Sequence, residues 1–144
     1  MPTRSSGFTL IELLVVVAVI GILSTIGLVQ YQGYIAGTKL KSTKNAMQQI
    51  LLAQTEELSN SGRYYIQADD KDSCTPSDTT SKQIEDALFA GGDIITTDAG
   101  FNMCIYSDDD NAYRIVATNG DDKESGDYKE VVLTHNGLYD PEED

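Results

Sequence analysis

The chain is poor in the side chains that build reactive or metal centres. It has one histidine, His135, and two cysteines, Cys74 and Cys104. Their spacing matches no zinc motif, which argues against a structural zinc site. No nucleophile is set beside a base, and there is no phosphate-binding loop or metal triad. These absences argue against an enzyme and against a resident cofactor. Basic residues are also scarce beyond residue 55. Residues 56–144 hold 6 bases against 22 acids, a net of 6 − 22 = −16. Such a surface repels phosphate backbones and disfavours nucleic acid as a partner. From Leu13 to Thr38 charge is missing altogether.

What is present divides sharply. The chain has 144 residues, enough for one domain, and a formal net charge of −13. Residues 1–55 carry Arg4, Lys39, Lys41 and Lys44 against Glu12 alone. Residues 56–144 read as an acidic domain outside the membrane. If that part sits in an oxidising compartment, Cys74 and Cys104 form a disulfide. Closing a loop of about 30 residues stabilises by roughly 3–4 kcal/mol. Two reduced, buried thiols are the alternative.

The apolar stretch Leu13–Val29 would span roughly 25 Å as a helix, short of a hydrocarbon core of about 30 Å. Including Phe8–Ile11 supplies the missing length and puts Glu12 inside the membrane. A carboxylate there costs roughly 3 kcal/mol by insertion scales. A cleaved secretory signal fits poorly: no small-x-small site follows, and helical periodicity continues past Val29. One basic residue precedes the span and three lysines follow it. Simple counting therefore puts the C-terminal side in the cytoplasm.

A short polar leader ends in Gly7; Phe8-Thr9-Leu10-Ile11-Glu12 and the long apolar run follow it. This order resembles the class III signal of type IV prepilins and pseudopilins. Gln30-Tyr31-Gln32 and Asn60-Ser61-Gly62-Arg63-Tyr64-Tyr65 extend the resemblance, the latter to the helix end and first loop of PilE-like minor pilins. The resemblance is strong over residues 4–65 and weak beyond. It implies that a prepilin peptidase cuts between Gly7 and Phe8 and methylates the new amine on Phe8. It implies that Glu12 meets the Phe8 amine of a neighbouring subunit and so sets register during assembly. It also places the acidic domain outside the cytoplasm, against the charge count.

The implied partners are other pilin subunits, the prepilin peptidase and inner-membrane assembly machinery. The implied location is the bacterial inner membrane, single-pass, before assembly, and the extracellular pilus afterwards. The resemblance thus reads as a type IV pilus structural subunit, with the type II secretion pseudopilin as alternative and a DNA-uptake receptor pilin behind both. Relatives often carry proline where Val29 stands. Its absence predicts a straighter helix, with Gly21 and Gly27 as the positions that loosen on assembly or permit close packing.

The expected fold class is α+β: a long N-terminal helix, transmembrane then amphipathic, packed on a small antiparallel sheet, the pilin ladle. Residues 1–7 are the leader, 8–30 the transmembrane and filament-core segment, and 31–144 the periplasmic or surface domain with the outer half of the helix. Tyr31, Tyr34, Ile35, Met47, Ile50, Leu51, Gln54 and Leu58 recur at spacings of three and four. They predict one unbroken helix from Phe8 to Ser59. Asn60-Ser61-Gly62 stops it. Residues 67–80 read as a polar loop and Ser81–Ala90 as a short helix. Strands are expected at 101–107, 113–118 and 128–135. Turns fall at 108–111, 119–127 and 135–137. Asp108, Asp110, Asp121, Asp122 and Glu124 are weak calcium candidates, because no twelve-residue loop frames them.

Overall fold

The computed structural model describes residues 7–95, 100–109, 112–119 and 129–140. Helix α1 runs Leu10–Ser61 without interruption, and α2 runs Asp78–Leu88. Three strands follow: β1 Asn102–Asp109, β2 Ala112–Thr118 and β3 Glu130–Thr134. They form one antiparallel sheet in the order β1-β2-β3, so consecutive strands are neighbours. This is the α+β pilin-like arrangement, a long helix with a small three-stranded sheet. The chain divides into two compact units, Met1–Thr38 and Lys39–Asp144, and the boundary falls within α1.

Strand alternation assigns the core. Met103 and Ile105, Tyr113, Ile115 and Ala117, and Val131 and Leu133 point to one face. There they meet Ala46, Met47 and Ile50 of α1 and Ile84 of α2. Met47 and Ile50 are fully buried, so truncating either to alanine costs roughly 2–5 kcal/mol. Cys104, Tyr106, Val116 and Val132 point to the opposite face. They pack under Cys74 and Ala68 from the segment between the helices. Covering both faces explains why β2 and β3 read as nearly continuous apolar runs instead of strict alternation.

The 67–80 segment departs from the expected polar loop. Ala68 pairs with Tyr106 and Ser77 with Met103 as isolated bridges along the edge of β1. Gln67 N donates to Ile105 O at 2.9 Å, and Ser107 N donates to Ala68 O at 3.0 Å. Helix α2 starts at Asp78, three residues before the expected Ser81. Ser77 caps it: Thr80 N donates to Ser77 Oγ, and Ser77 N donates to Thr80 Oγ1 at 2.8 Å. Threonine takes the place that glutamate or glutamine usually holds in this box, so the start signal is weak in sequence. The helix ends at Leu88, and the chain turns through Ala90 and Gly91 at φ 51° and 81°. The opposite edge of the sheet is also occupied. Leu133 bridges Tyr139, and Asp140 N donates to Val132 O at 3.0 Å.

Candidate functional site

The N-terminal segment builds its site from very few parts. Thr9 precedes α1, and Glu12 lies in its first turn. Thr9 N donates to Glu12 Oε2 at 2.9 Å, and the Thr9 hydroxyl donates to the same oxygen at 2.6 Å. Glu12 N in turn donates to Thr9 Oγ1 at 3.3 Å. This is a reciprocal capping box, with Thr9 at the cap and Glu12 three residues on. The carboxylate also lies at the positive end of the helix dipole. Glu12 is therefore satisfied within its own chain, by donors one residue away from Phe8. The box is written in the sequence as Thr9-Leu10-Ile11-Glu12, a threonine three residues before a glutamate at the head of an apolar run.

Around and just beyond this box, over Leu10–Gly27, the helix is exposed all round. Leu10–Gly27 is long and apolar enough to cross a membrane, and none of it is buried. As a helix its 18 residues rise about 27 Å. Its two hydroxyls are satisfied by the backbone: Ser24 donates to Ile20 O and Thr25 to Ile22 O, both at 2.7 Å. That is what a lipid-facing helix requires of polar groups. A Cβ at Gly7, Gly21 or Gly27 would meet nothing within 4 Å. Nothing in the chain's own described packing demands glycine at these positions, so any requirement comes from an approaching molecule.

Cys74 and Cys104 are joined as a disulfide, with Cα atoms 5.9 Å apart. The bond pins the 68–76 segment over the second face of the sheet. Lys71 and Glu130 pair at 3.1 Å beside it. Arg114 of β2 holds two carboxylates. Its Nε is 3.0 Å from Asp108 and its Nη1 is 2.9 Å from Asp140. The Asp108 carboxylate beside it raises the guanidinium's pKa above its ordinary value, against a smaller opposing effect of burial. Asp108 is thus already engaged by a cation. Among the described residues no three His, Cys, Asp or Glu side chains converge on one point. The other calcium candidates, Asp110, Asp121, Asp122 and Glu124, lie outside the described residues.

Residues 2–28 match the family described as the prokaryotic N-terminal methylation motif. The chain is 55% identical over 40 residues to the type IV major fimbrial protein FimA of Dichelobacter nodosus, covering 28% of this chain and 26% of that one. It is 29% identical over 103 residues to a fimbrial protein of Neisseria meningitidis, covering 72% and 61%. It is 62% identical over 34 residues to a fimbrial protein of Pseudomonas aeruginosa, covering 24% and 22%. The match spans about a quarter of the length of the first of these relatives. No solved structure matches. Together with the fold, these findings make the chain similar to type IV fimbrial proteins, most strongly over its N-terminal methylation motif.

Proposed function

We propose that this chain is a type IV pilus structural subunit. It is held in the inner membrane by its apolar helix and assembled into a filament after loss of Met1–Gly7. A prepilin peptidase cuts between Gly7 and Phe8 and methylates the Phe8 amine. Gly7 offers that enzyme a backbone with no side chain to clash. The new amine lies one residue from the Thr9 donors that already hold Glu12, so the carboxylate gains a charged partner without moving far. In the filament the Phe8 amine of a neighbouring copy takes that place. A copy seated at the wrong height leaves a charge unpaired in an apolar setting, which costs several kcal/mol.

The observation that carries this reading is the capped carboxylate at the head of a fully exposed apolar helix. Leu10–Gly27 can face lipid before assembly and the same segment of other copies after it. Mass spectrometry of sheared surface fibres tests the proposal. The expected result is an abundant chain beginning at N-methylated Phe8. Fibres built from chains that retain Met1–Gly7 would overturn it. Mature chain confined to the membrane fraction would instead fit a secretion-system pseudopilin.

A further inference from the structure

Among the described residues of 39–144, two large apolar side chains are strongly exposed: Leu52 at 69% and Leu138 at 65%. Each is next in the chain to a residue of one seam, Leu51 beside Leu52 and Gly137 and Tyr139 on either side of Leu138. After β3 the chain turns at 135–137 and returns along α1. Tyr139 Oη donates to Lys44 O at 3.0 Å, and Gln48 Nε2 donates to Tyr139 Oη at 3.4 Å. A Cβ on Gly137 would lie 3.7 Å from Leu51 Cδ2. Leu138 sits between Gly137 and Tyr139 in the chain. Leu52 follows Leu51 and lies one turn from Gln48. On α1, Lys41, Asn45, Gln48 and Leu52 follow spacings of four, three and four, which places them on one stripe.

The charge of this seam is opposite to that of the surrounding domain. Residues 39–55 hold Lys39, Lys41 and Lys44 and no acid, whereas residues 56–144 carry a net −16. The Lys44 ammonium lies 4.8 Å from the centre of the Tyr139 ring, at the seam itself. A two-fold contact of this surface with itself would set lysine against lysine. A contact between this seam and the acidic surface of another copy matches charge instead. That contact is heterologous, and a heterologous contact that does not close propagates as an open helical filament.

We propose that a second copy of this chain docks on the seam between α1 and the 135–139 turn. Leu52 and Leu138 are its apolar contacts, and the exposed Lys41 faces the partner copy's acidic surface. The proposal rests on the filament reading above and names a surface for it outside the apolar helix. The test uses the full-length chain in cells that make its fibres. One arm places a photoreactive benzoyl-phenylalanine at position 52 or 138. The other compares fibre yield for the wild type, the Leu52→Ser/Leu138→Ser double variant and Lys41→Glu.

The expected result is cross-linked dimers whose mapped partner peptide is acidic and belongs to residues 56–144. Fibre yield should fall at least tenfold in the double variant and severalfold in Lys41→Glu. Both leucines are exposed, so the variant's melting temperature should stay within a few degrees of the wild type. Wild-type fibre yield in the double variant overturns the seam and leaves the pilus reading standing. Cross-links to a different protein, or seam-to-seam links between copies, overturn it as well. No wild-type fibres, but seam-to-acidic links between copies in detergent, would sink the pilus reading and keep the contact. Neither fibres nor such links would sink both.

Discussion

Gln54 offers the sharpest test of how the helix is joined to the sheet domain. It is fully buried on α1, between apolar residues of the core-facing stripe. Its Nε2 donates to Tyr65 O at 2.7 Å, and its Oε1 accepts from Tyr65 N at 2.8 Å. The side-chain amide thus satisfies both polar groups of one backbone residue, as a strand neighbour would. Gln54→Leu keeps the volume nearly constant and removes both partners at once. Each made bond contributes about 1 kcal/mol net, and each buried group left alone costs about 1–3 kcal/mol. The added apolar burial returns part of this, so the expected loss is about 2–4 kcal/mol. For a domain of this size, 1 kcal/mol corresponds to roughly 4 °C or more in melting temperature. Thermal unfolding of the full chain in detergent should therefore shift down by about 10 °C. Amide exchange should quicken first at residues 62–66. A shift under about 2 °C, with unchanged exchange at Tyr65, would refute the reasoning.

Burial pushes the Tyr113 phenol up to about 12 from its ordinary 10, with Tyr64 4.7 Å away adding to it. A raised phenol means the native state prefers the protonated form, so this stability is complete below pH 10 and is lost as pH climbs toward 12. The loss is about 3 kcal/mol, and Tyr113→Phe should remove that part of the alkaline slope in pH-dependent unfolding; an unchanged slope would contradict it. Ala90 holds φ 51° beside Gly91 at φ 81°, so Ala90→Gly should raise stability by about 0.5–1 kcal/mol in urea unfolding, despite the looser unfolded chain. A destabilised variant would show that the turn is not strained. Glu12→Gln keeps the shape and much of the Thr9 cap but loses the charge, so the melting temperature of the sheet domain should hold while fibre yield falls severalfold. Equal yield would leave Glu12 as a cap alone.

The sequence was most readable where one physical demand dominated. An apolar run with a single acid near its start and glycine before it left little room for another architecture. The spacing of Met47, Ile50, Leu51 and Gln54 pointed to the packed face of α1, and β-branched residues located all three strands within a few positions. Reading failed where the demand was tertiary. The 67–80 segment looks like solvated loop because its polar side chains outnumber its apolar ones. Its work is done by backbone bonds to β1 and by Cys74, neither of which leaves a periodic trace. Arg114 looked like an ordinary strand residue, since its partners Asp108 and Asp140 lie 6 and 26 positions away. Gln54 falls on the buried face by its spacing, but no local pattern marks the Tyr65 backbone it serves.

The sheet's edges bear on how copies can meet. Exposed edges are templates for pairing between chains, and many β-proteins cover them. Here β1 is flanked by Ala68 and Ser77, and β3 by Tyr139 and Asp140. The disulfide holds the first cover in place, and the Arg114–Asp140 pair holds the second. Growth by strand addition is thereby hindered on both sides of the domain. In the proposed filament, contacts between copies would then form through side-chain surfaces and the apolar helix. The charge divide favours unlike patches meeting, and the exposed leucines mark one of them. An Arg114→Met variant would loosen the second cover while leaving β2 intact. If the edge argument holds, that variant should gain an irregular, sheet-rich aggregate, seen as increased thioflavin fluorescence. A variant that stays free of aggregate under the same conditions would show that the C-terminal cover is not what protects β3.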